Sequence, residues 1–343
     1  MIRSLTSLRG LLALAVVLFH RQWHPVDGWE RCAVAFFFML SGFLLTLHRD
    51  FVSLDASSWW RFVQRRARRI YPLHLVVWAM FIAIYVAFSV LFDPATVALN
   101  ALLLQSWVPV RDVYLSVNKP IWFLSSLMFC YACFPLLRHL QRRVRLRWQV
   151  LAMGAVTVLL WWAYKLLTPA QLEFAYFFPP LRLMDFALGM VLARLLQAIP
   201  ADDGQTMASR TLVEACAVLI VVIVWGVTHF TTMLAPWEDT LVWWLPVAML
   251  IFTFAAQHGR EGWVARALGW SPLVWLGEVS FEVYVLQSII PLAYSYLVAP
   301  ILGHFGIEAY GLPLPAHLIL LIAVAALAHR YFTAPLSRAM RKR

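Results

Sequence analysis

Apolar residues run along this chain in ten stretches of membrane length, separated by short polar or proline-bearing breaks. A hydrocarbon core takes roughly 20 apolar residues per helix. By that ruler the stretches fall at about 5–22, 31–48, 71–92, 120–140, 149–167, 181–199, 211–230, 238–257, 273–298 and 314–334. The segment 93–110, DPATVALNALLLQSWVPV, is shorter and interrupted, and reads as interfacial or re-entrant. The pattern predicts an all-α fold: a polytopic membrane helical bundle of about ten transmembrane helices. No separate soluble domain is expected within 1–343, because the longest polar gap is 49–70.

Composition agrees. The 343 residues are 62% hydrophobic and 13% charged, whereas a soluble domain is about half apolar and about one quarter charged. The distribution of the basic residues sets an orientation, since Lys and Arg are retained on the cytoplasmic side. With the N-terminus inside, the segments 1–9, 49–70, 138–148, 194–210, 258–272 and 335–343 face inward and hold 21 of the 28 Lys and Arg. The outward segments hold Arg21, Arg31, Arg111 and Lys119, while Lys165, Arg182 and Arg330 fall in or at the edge of spans. Both termini are therefore expected in the cytoplasm, with the protein multi-pass in the cell's inner membrane. This topology also accounts for the net charge of +11, so nucleic acid is not an expected partner. Cys130 and Cys133 form a CxxC inside an apolar run with no second pair and no histidine cluster, and read as small buried hydrophobes rather than a metal site. The first run shows no small-residue cleavage pattern of a secretory leader.

Several residues do not belong in lipid. Arg9 and His20 lie eleven positions apart in the first run. Eleven steps of a helix turn it by about 1100°, three turns plus about 20°, so the two share a face and stand roughly 16 Å apart along the axis. Snorkelling of two end residues would give the same pattern. Ser41-Gly42 interrupts Phe and Leu in the second run, as either a close-packing pair or a site element. Arg66 and Arg69 share a face at the inner interface, where they can be topogenic or can hold phosphate in their planar forks. Arg182 and Asp185, at i and i+3, can pair. In the ninth run Glu278 and Glu282, at i and i+4, fall on one face with Gln287 further outward, and Arg9 is a candidate partner. By depth, Arg9, Ser41, Arg66, Arg69 and Glu278 belong to the inner half, and His20, Trp122, Arg182 and Gln287 to the middle or outer half. Such a polar path suits a transporter, or an enzyme whose two substrates approach from opposite faces.

The stretches SLTSLRGLLALAVVLFH, FFFMLSGFLL, RFVQRRARRIYPLHLV, RLMDFALGMVLARL and LGEVSFEVYVLQ occur in the order and spacing of the membrane acyltransferase-3 family, which the chain resembles over almost its whole length. The resemblance implies O-acylation of carbohydrates or other hydroxylated acceptors, with acyl-CoA, most often acetyl-CoA, as a cytoplasmic co-substrate and no bound cofactor. It matches Arg9 and His20 to the family's essential Arg-x10-His pair, Arg66 and Arg69 to its RxxR segment, and Ser41-Gly42 to its SGF element. Two departures stand out. Leu127 occupies the glutamate position of WSLSVEEQFY, and Gln287 replaces the histidine that closes the ninth-run motif in many members.

These implications set the sequence-based expectation: acyl-CoA docks at Arg66, Arg69 and Ser41, its arm passes Arg9, and His20 removes the proton of an acceptor hydroxyl. Imidazole, with an unperturbed pKa of about 6.5, can do so at neutral pH, or can itself carry the acyl group. Trp122, Arg182, Asp185, Glu278, Glu282 and Gln287 are expected to support the site or the acceptor. The expected partners are acyl-CoA, a glycan or glycolipid acceptor and membrane lipid; nothing sets an oligomeric state. The rival reading is a proton-coupled transporter or lipid-linked-sugar exporter without covalent chemistry, although the chain shows no inverted repeat of broken helices.

Overall fold

The computed structural model describes residues 1–48, 53–199, 204–306 and 311–341. Arg49, Lys342 and Arg343, counted among the inward cations, lie outside the described residues. The longer helices are α1 Arg3–His20, α2 Trp29–Leu47, α3 Ala56–Ala87, α4 Trp122–Arg143, α5 Leu146–Tyr164, α6 Pro179–Ala198, α7 Met207–Phe230, α8 Leu241–Ala256, α9 Ser280–His304 and α10 Leu314–Ala339. Among the described residues there is no strand.

Among the described residues, eight of these helices are long and apolar enough to cross a membrane by length and composition, so the expected count of ten is not confirmed. The other two differ for separate reasons. α6 has the length, with 20 residues, but carries Arg182, Asp185 and Arg194. α8 is apolar but short. The segment 93–110 is not a span: a helix over Pro94–Ala101 ends in a 3-10 turn at Gln105–Trp107. It is fastened to α3 where His74 Nε2 meets the Asn100 carbonyl at 3.0 Å and Tyr71 donates to the Leu102 carbonyl at 2.8 Å.

Two helices depart from the predicted boundaries in ways that matter for the site. α3 begins 15 residues before the predicted 71, with the Asp55 side chain accepting from the Ser58 N–H at 2.8 Å as its N-cap. Its 32 residues span about 48 Å, well beyond a hydrocarbon core of about 30 Å. Arg66 and Arg69 therefore sit on the same helix as the apolar turns that follow, ahead of the internal Pro72. The ninth run is broken: a short helix over Ser271–Glu278 ends at Val279, and α9 starts afresh at Ser280.

α2 lies at the centre, with Phe36, Phe38, Met39 and Phe43 fully buried. Its closest neighbour is α6, and glycines make the approach possible. A Cβ on Gly42 would overlap the Phe186 carbonyl, and one on Gly189 would overlap the Met39 carbonyl. Small residues of this kind let membrane helices bring their backbones together. α1 is set against Ser271–Glu278 in the same way, Gly277 facing the Thr6 carbonyl. Around this core, α5, α7 and α10 turn large apolar side chains outward, among them Leu159, Trp162, Leu212 and Ile319. Apolar residues covering the outside of helices of membrane length form a surface suited to lipid.

Candidate active site

Two cavities flank α1, one at each end. The first, of about 340 Å³, lies between α1, α2, α3, α4 and the start of α9, and is lined by Arg9, Ser41, Arg66, Arg69, Glu278 and Tyr131 among others. These include all five residues that sequence placed in one half of the protein. The second, of about 720 Å³, lies at the C-terminal end of α1 and is lined by His20, Arg21, Lys119, Gln287, Ser295 and His317, with Phe81, Tyr85 and Tyr296 forming apolar wall. The eleven-residue spacing thus places Arg9 in one cavity and His20 in the other.

Arg9 reaches the helix break after Glu278. Its Nε and Nη2 donate to the Gly277 carbonyl at 3.1 and 2.5 Å, a carbonyl that also accepts from Ser280 Oγ at 2.8 Å. The expected partnership of Arg9 with the two carboxylates is corrected here: its direct partner is a backbone oxygen. The break at Val279 also rotates Glu278 and Glu282 off their shared face. Glu278 is exposed and lines the first cavity. Glu282 is buried, meets His329 Nδ1 at 2.9 Å and accepts from Thr333 Oγ1, which ties α9 to the π-turn His329–Thr333 of α10.

Ser41 and Gly42 divide the two roles left open for them. Gly42 packs on α6, while Ser41 lines the first cavity with its hydroxyl donating to the Phe37 carbonyl at 2.7 Å. The Arg66 guanidinium lies over the rings of Phe62 and Tyr131 at 5.1 and 5.8 Å. Leu127 lines the same cavity and makes its wall apolar there.

His20 projects into the second cavity, and none of the described residues hydrogen-bonds its ring. Gln287 is buried, its Nε2 donating to the Tyr284 carbonyl at 2.9 Å. Arg111, which starts the short helix Arg111–Tyr114 and lines this cavity, is pushed further toward its charged form by its 2.7 Å hydrogen bond to Glu173. Between the cavities the molecule is closed. Leu12, Ala13, Val16 and Val17 of α1 are buried, and Phe123 and Tyr284 pack with ring centroids 5.3 Å apart. The Tyr284 hydroxyl donates to the Pro120 carbonyl, beside Lys119 of the second cavity.

Trp122, Arg182 and Asp185 line neither of these cavities. Trp122 is buried against Tyr176 and Phe177, at 5.0 and 4.9 Å. Arg182 and Asp185 form the predicted pair at 3.0 Å, fully enclosed, with Trp244 Nε1 donating to Asp185 and Tyr176 under the guanidinium. A buried pair of this kind fixes the α6–α8 contact.

Several buried titratable groups escaped the sequence reading, Glu30 and His74 among them, and two others bear on the fold and the site. Glu214 of α7 accepts from the N–H groups of Gly262 and Ala265 at 2.7 and 3.0 Å, and so anchors the short helix Trp263–Leu268. His317 of α10 lines the second cavity opposite His20. Like Arg9, it is a titratable residue at the end of an apolar run, and the same rule applied to the tenth run would have found it.

The model of a family described as an acyltransferase domain, acyltransferase-3, matches residues 2–329. This chain belongs to the acyltransferase-3 family. Among characterised proteins, the acyltransferase MdmB of Streptomyces mycarofaciens is 30% identical over 322 residues, covering 84% of this chain and 78% of the relative. No solved structure matches the chain. The acyltransferase-3 chain is thus an enzyme that transfers acyl groups, and its apolar helices accord with a multi-pass membrane protein.

Proposed function

We propose that this acyltransferase moves an acyl group, acetyl in the simplest case, from cytoplasmic acyl-CoA to a hydroxyl of a carbohydrate acceptor on the other side of the cell membrane. The observation that carries this reading is the pair of cavities at the two ends of one helix face, Arg9 lining one and His20 the other. Both termini and the Arg9 cavity then face the cytoplasm. The first cavity takes the donor: Arg66 and Arg69 offer forked donors to the phosphates of CoA, and Arg9 and Ser41 border the path of its thin arm. The thioester reaches His20 only when the Phe123–Tyr284 contact that closes the path between the cavities opens. His20 takes the proton of the acceptor hydroxyl as the oxygen bonds to the thioester carbonyl carbon. The carbon–sulfur bond then breaks, and the imidazolium returns the proton to the leaving thiolate. The wider second cavity, with polar groups at its floor and aromatic side chains on its wall, accommodates a sugar.

Thiol release by the purified protein in lipid nanodiscs tests this, with acetyl-CoA supplied alone and then with a panel of glycosides. Acceptor-dependent release, with the acyl mass appearing on the glycoside, supports the reading. A protein that moves a sugar across the bilayer while releasing no thiol would instead be the exporter of the rival reading.

A further inference from the structure

Two residues that line the second cavity each carry a buried hydrogen-bond acceptor that no described residue satisfies. His317 is 1% exposed, and its Nε2 lies 3.0 Å from the Gln287 carbonyl oxygen. A carbonyl oxygen only accepts, so Nε2 must carry the proton, which leaves Nδ1 as a bare lone pair in the neutral ring. No protein group donates to Nδ1 among the described residues. Gln287 is 2% exposed, and its amide orientation is settled in the same way: Nε2 donates to the Tyr284 carbonyl, so Oε1 is an acceptor, also without a donor. Both residues line the cavity that His20 lines. An acceptor left unsatisfied in a buried site costs about 1–3 kcal/mol, and a ligand that brings two donors relieves both at once.

Resting on the reading of this cavity as the acceptor site, we infer that His317 Nδ1 and Gln287 Oε1 form a subsite that recognises the acceptor through two hydrogen-bond donors beside the reacting hydroxyl, as on the polyol face of a sugar ring. His317 is then a substrate-binding residue. Its Nε2–H is already committed to the Gln287 carbonyl, so the base role stays with His20. The pair gives Gln287 two functions: its backbone carbonyl fixes the tautomer of His317, and its side chain supplies the second acceptor.

The test uses the full-length protein in nanodiscs with acetyl-CoA. Its acceptor probe is the methyl glycoside that gives the fastest thiol release with wild type, together with that glycoside's monodeoxy analogues. His317→Gln keeps a donor where Nε2 stood but removes the Nδ1 lone pair. It is expected to raise the acceptor KM roughly 3- to 10-fold, the worth of one hydrogen bond, with kcat and the acetyl-CoA KM unchanged. One monodeoxy analogue should show the same loss with wild type and no further loss with His317→Gln, the non-additivity of a shared contact. His317→Asn, which retains an oxygen acceptor near the Nδ1 position, should recover part of the affinity. An unchanged acceptor KM in a well-folded His317→Gln protein, or full additivity with every analogue, overturns the subsite while leaving acyl transfer intact. Failure of wild type to release thiol with any glycoside overturns both.

Discussion

Arg9→Lys separates the guanidinium fork from its charge. In the structure Nε and Nη2 both grip the Gly277 carbonyl, at 3.1 and 2.5 Å, so the side chain is aimed across the first cavity by a two-point contact. Lysine keeps the positive charge but brings a flexible point donor instead of a planar fork. Hydrogen bonds involving a charged group contribute about 1.5–3 kcal/mol, which corresponds to roughly a 10- to 150-fold change in an equilibrium or rate constant. The Gly277 carbonyl keeps its 2.8 Å bond from Ser280 and is not left unsatisfied, so most of the loss should appear in function and not in stability. The assay is thiol release over an acetyl-CoA titration at fixed acceptor, with thermal unfolding of the same samples. Arg9→Lys should lower kcat/KM for the donor by roughly 10- to 150-fold, with the acceptor KM near wild type and the unfolding temperature close to it. A variant with wild-type donor kcat/KM would refute the role of the fork. A variant that simply unfolds would make Arg9 a structural clasp between α1 and the helix break.

Two further outcomes follow from the packing. Gly189→Ala places a Cβ on the Met39 carbonyl and must push α2 and α6 apart, at a cost of about 1–3 kcal/mol; its unfolding temperature in detergent should fall. Gly154→Ala, where a Cβ meets nothing within 4 Å, should leave it unchanged or raise it slightly. Tyr284→Phe removes the hydroxyl that holds the Pro120 carbonyl between the two cavities. The loosened partition should raise acceptor-independent thiol release, seen as acetyl-CoA hydrolysis to acetate; an unchanged hydrolysis rate would mean that the closure does not depend on this contact.

Much of the candidate site was legible from periodicity and cost. The 100° step alone put Arg9 and His20 on one face, and the price of charge in lipid singled out Arg182 with Asp185, which do meet at 3.0 Å. What periodicity could not carry was an interruption of the helix. Glu278 and Glu282 share a face only if the helix continues through Val279, and it does not. One carboxylate therefore opens into a cavity while the other is locked to His329 and Thr333. Of the ten expected spans, eight described helices are long and apolar enough. α6 has the length of a span but carries three charges, Arg182, Asp185 and Arg194, and α8 has the hydropathy but not the length. His317, four positions into the tenth run, was within reach of the same cost rule, but its place in the cavity that His20 lines shows only in the tertiary structure.

Single-turnover acyl transfer with His20→Ala shows whether His20 performs the chemistry on an acceptor in the second cavity. Purified protein loaded with isotopically labelled acetyl-CoA is mixed with saturating acceptor, and the label on the acceptor is followed by mass spectrometry. A positioned general base contributes about 10²- to 10⁴-fold, so the variant should transfer slower by that factor while binding acetyl-CoA as wild type does. Transfer at the wild-type rate would mean that His20 is not the base.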